Sequence, residues 1–249
     1  MKKFVLLASV LSVLALIIAG CAADNPAEPA PGPTATATAE TLAADLMLHN
    51  FENNSLTTTV SGISASWSAA NDSADGGESV ITSLTVSDID PAQGLYGLNL
   101  NATLKSRIIF PSGSAGSYTA QATDYVGYTA LTLTFVDSVS LTNNTSINFF
   151  HQLSTDVTYK IFFYNDLNKY CYYNYNLNGF AGWAQTNLSI DESGGFVPGN
   201  PSAYSVEDVL KSVRKITFLI RYTGTDNTEE ITRDFKFDSI SLMHVEQVD

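Results

Sequence analysis

From residue 42 onward, apolar side chains recur at every second position, in short bursts. Leu131, Leu133 and Phe135 alternate with Thr132 and Thr134. Ile216, Phe218 and Ile220 alternate with Thr217 and Arg221, although Leu219 blurs the second face. A period of two puts one set on each side of a pleated strand, so each burst has one face for a core and one for something else. Turn formers separate the bursts, among them Asp75-Gly76-Gly77, Ser112-Gly113 and Ser193-Gly194-Gly195. Strands are expected over 46–52, 80–87, 95–104, 125–136, 146–153, 158–164, 169–175, 182–190, 215–222 and 233–244. One helix stands out: Ser205 caps it, Asp208 completes a capping box, and Val206, Val209, Leu210 and Val213 share a face. Many strands, one short helix and no βα alternation define an all-β chain folded as an antiparallel β-sandwich.

The first 41 residues have a different texture. Lys2 and Lys3 precede an apolar run from Phe4 to Ala19 that only Ser9 and Ser12 interrupt. The run is short for a membrane span and has the form of an export signal. Ile18-Ala19-Gly20-Cys21 resembles the lipobox of bacterial lipoproteins, with isoleucine where leucine is commoner. That resemblance implies cleavage before Cys21 and acylation of its thiol and new amino terminus; the alternative is an ordinary signal or anchor helix with an incidental cysteine. Residues 22–41 hold Pro26, Pro29, Pro31 and Pro33 among Ala and Thr, lack apolar periodicity and read as a semi-extended tether. The expected division is a signal peptide at 1–20, a lipidated cysteine and tether at 21–41, and the sandwich at 42–249. Location would be the bacterial cell envelope. Ala22 after Cys21, rather than Asp, resembles lipoproteins sent to the outer membrane.

Formal charge is −13, and becomes −15 once Lys2 and Lys3 are removed. Phosphate would be repelled and no Lys/Arg cluster compensates, which excludes nucleic acid as a partner. Docking of basic residues on anionic lipid is excluded in the same way, so membrane attachment must come from acyl chains, each buried methylene adding about 0.8 kcal/mol. The only other cysteine is Cys171, in Tyr170-Cys171-Tyr172-Tyr173, and it reads as a small buried hydrophobe. With Cys21 lipidated there is no disulfide framework.

Catalytic signatures are missing. His49, His151 and His244 are widely spaced and form no metal-ligand pattern, and no Gly-x-Ser-x-Gly elbow or phosphate-binding glycine loop exists. Glycoside hydrolysis needs two opposed carboxylates. Asp88/Asp90, Asp191/Glu192, Glu207/Asp208 and Glu229/Glu230 all fall in expected turns, strand ends or the helix start. A non-enzyme is expected.

A set of landmarks then falls in a recognisable order. Leu46-Met47-Leu48-His49-Asn50-Phe51-Glu52 is followed by Trp67, by Asn71-Asp72-Ser73-Ala74-Asp75-Gly76-Gly77-Glu78-Ser79 and by Gly94-Leu95-Tyr96-Gly97-Leu98-Asn99-Leu100. Gly182-Trp183, the helix and Phe237-Asp238-Ser239-Ile240-Ser241-Leu242 close the series. Across about residues 45–245 this resembles the galactose-binding-like jelly rolls of family-11-type carbohydrate-binding modules. The Trp…Asp…Gly-Gly stretch is also similar to complex I intermediate-associated domains. The resemblance implies a non-catalytic module and, in many such modules, a structural calcium held by acids on the first and last strands. The matching positions here are Glu52 and Asp238; the other reading makes both solvated strand-end acids. Trp67 and Trp183 are expected to be packed rather than ligand-facing, with Trp67 against the Gly-Gly loop.

Tyr and Phe concentrate between Phe149 and Trp183. By parity, Ile147, Phe149, Ile161, Phe163, Cys171, Tyr173 and Tyr175 face the core. The opposite set is Asn148, Phe150 and Gln152, then Phe162 and Tyr164, then Tyr170, Tyr172 and Asn174. Flat aromatic faces with amides nearby suit stacking on pyranose rings, so Phe150, Gln152, Phe162, Tyr164, Tyr170, Tyr172 and Asn174 are the expected ligand-binding residues. A one-residue register slip would exchange the two sets. The expected partner is a polysaccharide or oligosaccharide on a concave sheet face. The alternative is a surface adhesin or assembly protein that binds a protein partner through the same fold.

Overall fold

Every strand pairing among the described residues is antiparallel. A computed structural model describes residues 45–75, 77–105, 127–223 and 230–244. In chain order the elements are β1 (Leu46–His49), β2 (Thr57–Val60), β3 (Ile63–Asn71), β4 (Val80–Ser87), β5 (Gly97–Lys105), β6 (Tyr128–Val139) and β7 (Asn144–Gln152). They continue with β8 (Val157–Asn165), β9 (Tyr170–Tyr173), β10 (Leu177–Asn178), β11 (Ala184–Ser189), β12 (Phe196–Pro198), α1 (Val206–Leu210), β13 (Val213–Tyr222) and β14 (Glu230–His244). The smaller sheet runs β11-β7-β14-β5-β4, with β1 also on β14. The larger runs β12-β9-β8-β13-β6-β3-β2, with β10 also on β8. The signal, lipobox and tether fall outside the described residues.

The two sheets meet through the apolar half of the alternation. Phe149 of β7 meets Phe218 of β13 edge-on, ring centres 5.2 Å apart at 76°. Phe218 also meets Phe237 of β14 at 5.0 Å. All three rings are fully buried, as are Leu131, Leu133, Ile161, Phe163 and Ile216. Aromatic pairs of this kind add roughly 0.5–1.5 kcal/mol beyond their buried area. Cys171 is fully buried, and burial drives its thiol pKa up to about 12, so it serves as an inert core residue. Tyr173 is half-buried and packs against the core, 5.5 Å from Phe196; Tyr175 departs from the expected core set at 62% exposed, because β9 and its parity end at Tyr173.

β4 occupies the expected span, and β7, β8, β13 and β14 overlap theirs closely. The helix forms behind its capping box, with Ser205 Oγ accepting from the Asp208 N–H and Asp208 Oδ2 accepting from the Ser205 N–H. Strands β2 and β3 lie in a stretch where no strand was expected from sequence. Ile63-Ser-Ala-Ser-Trp-Ser-Ala-Ala-Asn does alternate, but its apolar members are mostly alanine, which is weak both in strand preference and as a hydrophobic signal. Ser61 and Gly62 join the two strands with φ of 50° and 78°, the doubly left-handed turn that a tight hairpin uses.

Trp67 is structural, as expected, but not against the Gly-Gly loop. Its Nε1–H donates to His49 Nδ1 at 2.9 Å, and its ring lies against Phe51 and Phe218. The loop is held by Asp72 instead. That fully buried carboxylate accepts from the Ser79 N–H (2.9 Å), the Ser79 hydroxyl (2.8 Å) and the Tyr128 N–H (3.1 Å).

His151 makes the core sensitive to acid. Its Nε2 bonds with Thr186 Oγ1 (2.9 Å) and Tyr159 OH (3.1 Å), Nδ1 has no partner, and burial lowers its pKa to about 4. The imidazole stays neutral in the fold while the unfolded chain takes up a proton below pH 6.5. Stability is therefore unaffected above that pH, falls as pH drops from 6.5 to about 4, and levels off below. The loss attributable to this residue is about 3 kcal/mol. Burial shifts His49 in the same direction. Urea unfolding at pH 7.5 and 4.5 should show the fall, and His151→Gln should remove most of it.

Candidate functional site

Chain geometry sends the polar half of the alternation on the larger sheet to its outer face. Phe162 of β8 stands opposite Tyr172 of β9 on one side and Thr217 of β13 on the other. Thr217 opposes Thr132 of β6, which opposes Ser68 of β3. The neighbouring row is Tyr170, Tyr164, Lys215, Thr134 and Ser66. One end of the face is aromatic and the rest is a field of hydroxyls crossed by lysine.

The aromatic end is a set of mutually supporting rings. Phe162 lies near-parallel to Tyr164 (6.0 Å, 18°) and to Tyr172 (5.4 Å, 22°). Tyr170 touches Phe162, Tyr164 and Tyr172 at 6.2, 5.6 and 6.1 Å. Each ring is half-buried, so edges are fixed while part of each surface stays open. Burial, then Tyr170, raises the Tyr164 pKa, keeping its hydroxyl protonated at neutral pH. Lys160 Nζ lies 5.3 Å from the Tyr172 ring centre and donates to the Asn174 carbonyl at 3.1 Å. Gly199 backs the cluster: a Cβ there would lie 2.4 Å from Tyr170 Cζ, and its N–H donates to the Tyr170 carbonyl at 2.8 Å.

Beside these rings opens a groove of about 530 Å³. Tyr164, Tyr170 and Asn168 form one wall; Lys215, Thr217, Thr132, Thr134, Ala130 and Ser68 form the floor and far side. It crosses four strand spacings, from β9 to β3, or about 19 Å. Thr132 Oγ1 and Thr217 Oγ1 bond to each other at 3.0 Å, fixing two hydroxyls in the floor. No carboxylate appears among the described residues that line it, so paired-acid hydrolysis lacks its groups there.

Of the seven residues expected to bind ligand, the structure brings four together: Phe162, Tyr164, Tyr170 and Tyr172. Phe150 and Gln152 must be separated from them. They project outward from β7 in the smaller sheet, where Phe150 opposes Gln185 and Asp238, and Gln152 Nε2–H donates to the Ala181 carbonyl at 3.1 Å. Parity gave their face correctly but not their sheet, because the short connection between β7 and β8 carries the chain across the sandwich. Asn174 follows the end of β9 and is exposed, touching Lys160 through its carbonyl. Sequence reasoning passed over Ser68, Asn168 and Lys215. Thr132, Thr134 and Thr217 carried a signal, the polar side of a clean alternation, that becomes a floor only once β3, β6 and β13 are known to be neighbours.

Glu52 and Asp238 grip one loop. Glu52 Oε1 accepts from the Leu95 and Tyr96 N–H groups at 2.9 and 3.3 Å, while Asp238 Oδ2 accepts from the Gln93 N–H at 2.8 Å. Asp238 is fully buried, and burial raises its pKa. Calcium takes six to eight oxygens. Here the two carboxylates face amide donors, and no group of three His, Cys, Asp or Glu side chains suited to a metal gathers among the described residues. As arranged, the pair clamps the 92–96 loop through hydrogen bonds. Trp183, half-buried, donates from Nε1 to the Asp90 carbonyl at 3.2 Å, tying β11 to the neighbouring part of that connection.

No protein-family model and no curated protein sequence matches the chain. Solved structures do. The fold is similar to the family 11 carbohydrate-binding module of the cellulosomal cellulase Lic26A-Cel5E of Clostridium thermocellum, at 12% identity and a TM-score of 0.51, covering 83% of this chain and 98% of that one. A family 11 module from the same organism, in complex with a β-1,3-1,4-mixed-linked tetrasaccharide, matches at 13% identity and 0.49, covering 80% and 95%. The protein is thus a β-sandwich of the carbohydrate-binding-module type. At these identities the likeness concerns fold.

Proposed function

We propose that this protein is a non-catalytic carbohydrate-binding protein that holds a glycan in the groove on the outer face of its larger sheet. The observation that carries the reading is the open ring cluster of Phe162, Tyr164, Tyr170 and Tyr172 beside a hydroxyl-floored groove. Pyranose rings present flat C–H faces that stack on such rings, and their hydroxyls find partners in Thr132, Thr217, Ser68 and Asn168. Likeness in fold to a carbohydrate-binding module supports the same reading. Anchoring is part of the proposal: Cys21, acylated behind the Ile18-Ala19-Gly20 signal, would tether the sandwich at the bacterial cell envelope, in the outer membrane or at the cell surface, through the proline-rich 22–41 segment.

Isothermal titration of the purified protein against neutral and acidic polysaccharides tests the binding reading. Binding to at least one, saturable and competed by oligosaccharides of the same linkage, is expected. No binding to any glycan would overturn it.

A further inference from the structure

Charge is distributed unevenly over this acidic molecule. The chain has 25 acidic and 12 basic residues. Lys105, Lys211, Arg214, Arg233 and Lys236 pair with carboxylates, whereas Lys169 lies with its Nζ 5.4 Å from the Tyr204 ring centre. Lys160, Lys215 and Arg221 make no ion pair among the described residues, and all three lie on the groove face. Lys215 is in the groove itself, opposite Tyr164. Lys160 opposes Leu219, with Arg221 one outward position further along β13.

The register-paired positions of the same face carry no acid; Asp137, exposed at the far end of β6, pairs with Arg214. Reading the outward positions of β9, β8, β13, β6, β3 and β2 through their registers gives Tyr, Phe, Thr, Ser, Ala, Leu, Lys and Arg, with no Asp or Glu. The corresponding face of the smaller sheet carries Glu230 and Asp234 on β14. Lys160 and Arg221 also feel each other: burial, then Arg221, pulls the Lys160 pKa down. Two cations held close, partly desolvated and without a counter-charge form a place that an anion stabilises.

The donor set points the same way. Adjacent hydroxyls of a neutral sugar are commonly bridged by planar carboxylates or amides; along this groove only Asn168 is of that kind, while ammonium and hydroxyl donors dominate. From Lys215 to Arg221 is six residues of β13, roughly 20 Å, so the charges match a chain bearing repeated anionic groups better than one terminal acid. Resting on the glycan-binding reading above, we infer that the ligand is an anionic polysaccharide, its pyranose faces stacked on Tyr164 and Tyr170 and its carboxylate or sulfate groups met by Lys215, Lys160 and Arg221.

The test is titration of the purified protein at 50 mM NaCl with polygalacturonate, which carries carboxylates, carrageenan, which carries sulfate esters, and neutral mixed-linked β-glucan. Poly-L-glutamate serves as a charged control without sugar. Binding to at least one acidic polysaccharide should be ten or more times tighter than to β-glucan and should weaken steeply as salt rises; whichever of the two binds tighter identifies the anionic group. Lys160→Gln and Lys215→Gln should each reduce that affinity about tenfold, with Lys215→Arg retaining most of it and melting temperatures unchanged. β-Glucan binding as tight as that of the acidic glycans, and indifferent to both lysine changes, would overturn the inference while leaving the glycan reading standing. Equal binding to poly-L-glutamate would overturn it too, because charge alone would then suffice. Failure to bind any glycan would remove both.

Discussion

Replacing Asp72 with alanine is expected to cost the fold on the order of 3–5 kcal/mol, a large part of the stability of an ordinary domain. Asp72 follows β3 directly and is fully buried. Its Oδ1 accepts from the Ser79 N–H, and its Oδ2 from the Ser79 hydroxyl and the Tyr128 N–H. One side chain thus ties the end of β3 to the approach to β4 and the start of β6. Alanine takes the acceptor from the buried Ser79 N–H and hydroxyl, each lost partner costing about 1–3 kcal/mol, and cuts the tie to Tyr128. Asp72→Asn should cost less, since one oxygen survives, although its new N–H₂ meets donors it cannot satisfy. Gly77 belongs to the same device: a Cβ there would lie 2.1 Å from Asp72 Cγ. Urea unfolding at pH 7.5 measures the effect, and a loss below about 1 kcal/mol would show that the junction is not held in this way.

The second large effect concerns binding rather than folding. Tyr164→Ala and Tyr170→Ala are each expected to weaken glycan binding about tenfold, and the double variant about a hundredfold. Both rings are half-buried on the outer face, so truncation should change the unfolding free energy by no more than about 1 kcal/mol. Phe162 and Phe163 supply an internal control from adjacent positions of β8. Phe162 stacks against Tyr164 and Tyr172 on the outside, whereas Phe163 is fully buried and packs on Phe196 at 5.6 Å. Phe162→Ala should therefore weaken binding in a folded protein, while Phe163→Ala should destabilise by about 3–5 kcal/mol. Titration calorimetry alongside urea unfolding separates the two. The reverse assignment, with Phe163→Ala binding normally and Phe162→Ala unfolded, would place the core on the wrong side of β8.

That contrast also marks how far the sequence could be read. Period two is a local property of the chain, so it correctly assigned Phe163, Ile161 and Phe149 to the core and Phe162, Tyr164, Tyr170 and Tyr172 to the outside. Local alternation cannot say which strands are neighbours. β7 and β8 follow one another closely yet belong to different sheets, and Phe150 and Gln152 were grouped with rings across the sandwich for that reason. The groove floor was invisible for the same cause, since Ser68, Thr132 and Thr217 come from β3, β6 and β13 and meet only through long-range pairing. β3 was missed because two of its four core positions, Ala65 and Ala69, are alanine. Glu52 and Asp238 were recognised as a pair with a shared task, and both grip the 92–96 loop by its backbone N–H groups. The helix was readable because a capping box is local.

The central claim is that the outer face of the larger sheet is where glycan binds. Nuclear magnetic resonance shift mapping during titration with the tightest-binding oligosaccharide tests it most directly. The largest backbone and side-chain shifts should fall on Thr132, Tyr164, Asn168, Tyr170, Lys215 and Thr217, on three separate segments of sequence that meet only in this groove. Shifts concentrated instead on Phe150, Gln152, Gln185 and Asn187, on the outer face of the smaller sheet, would contradict the account.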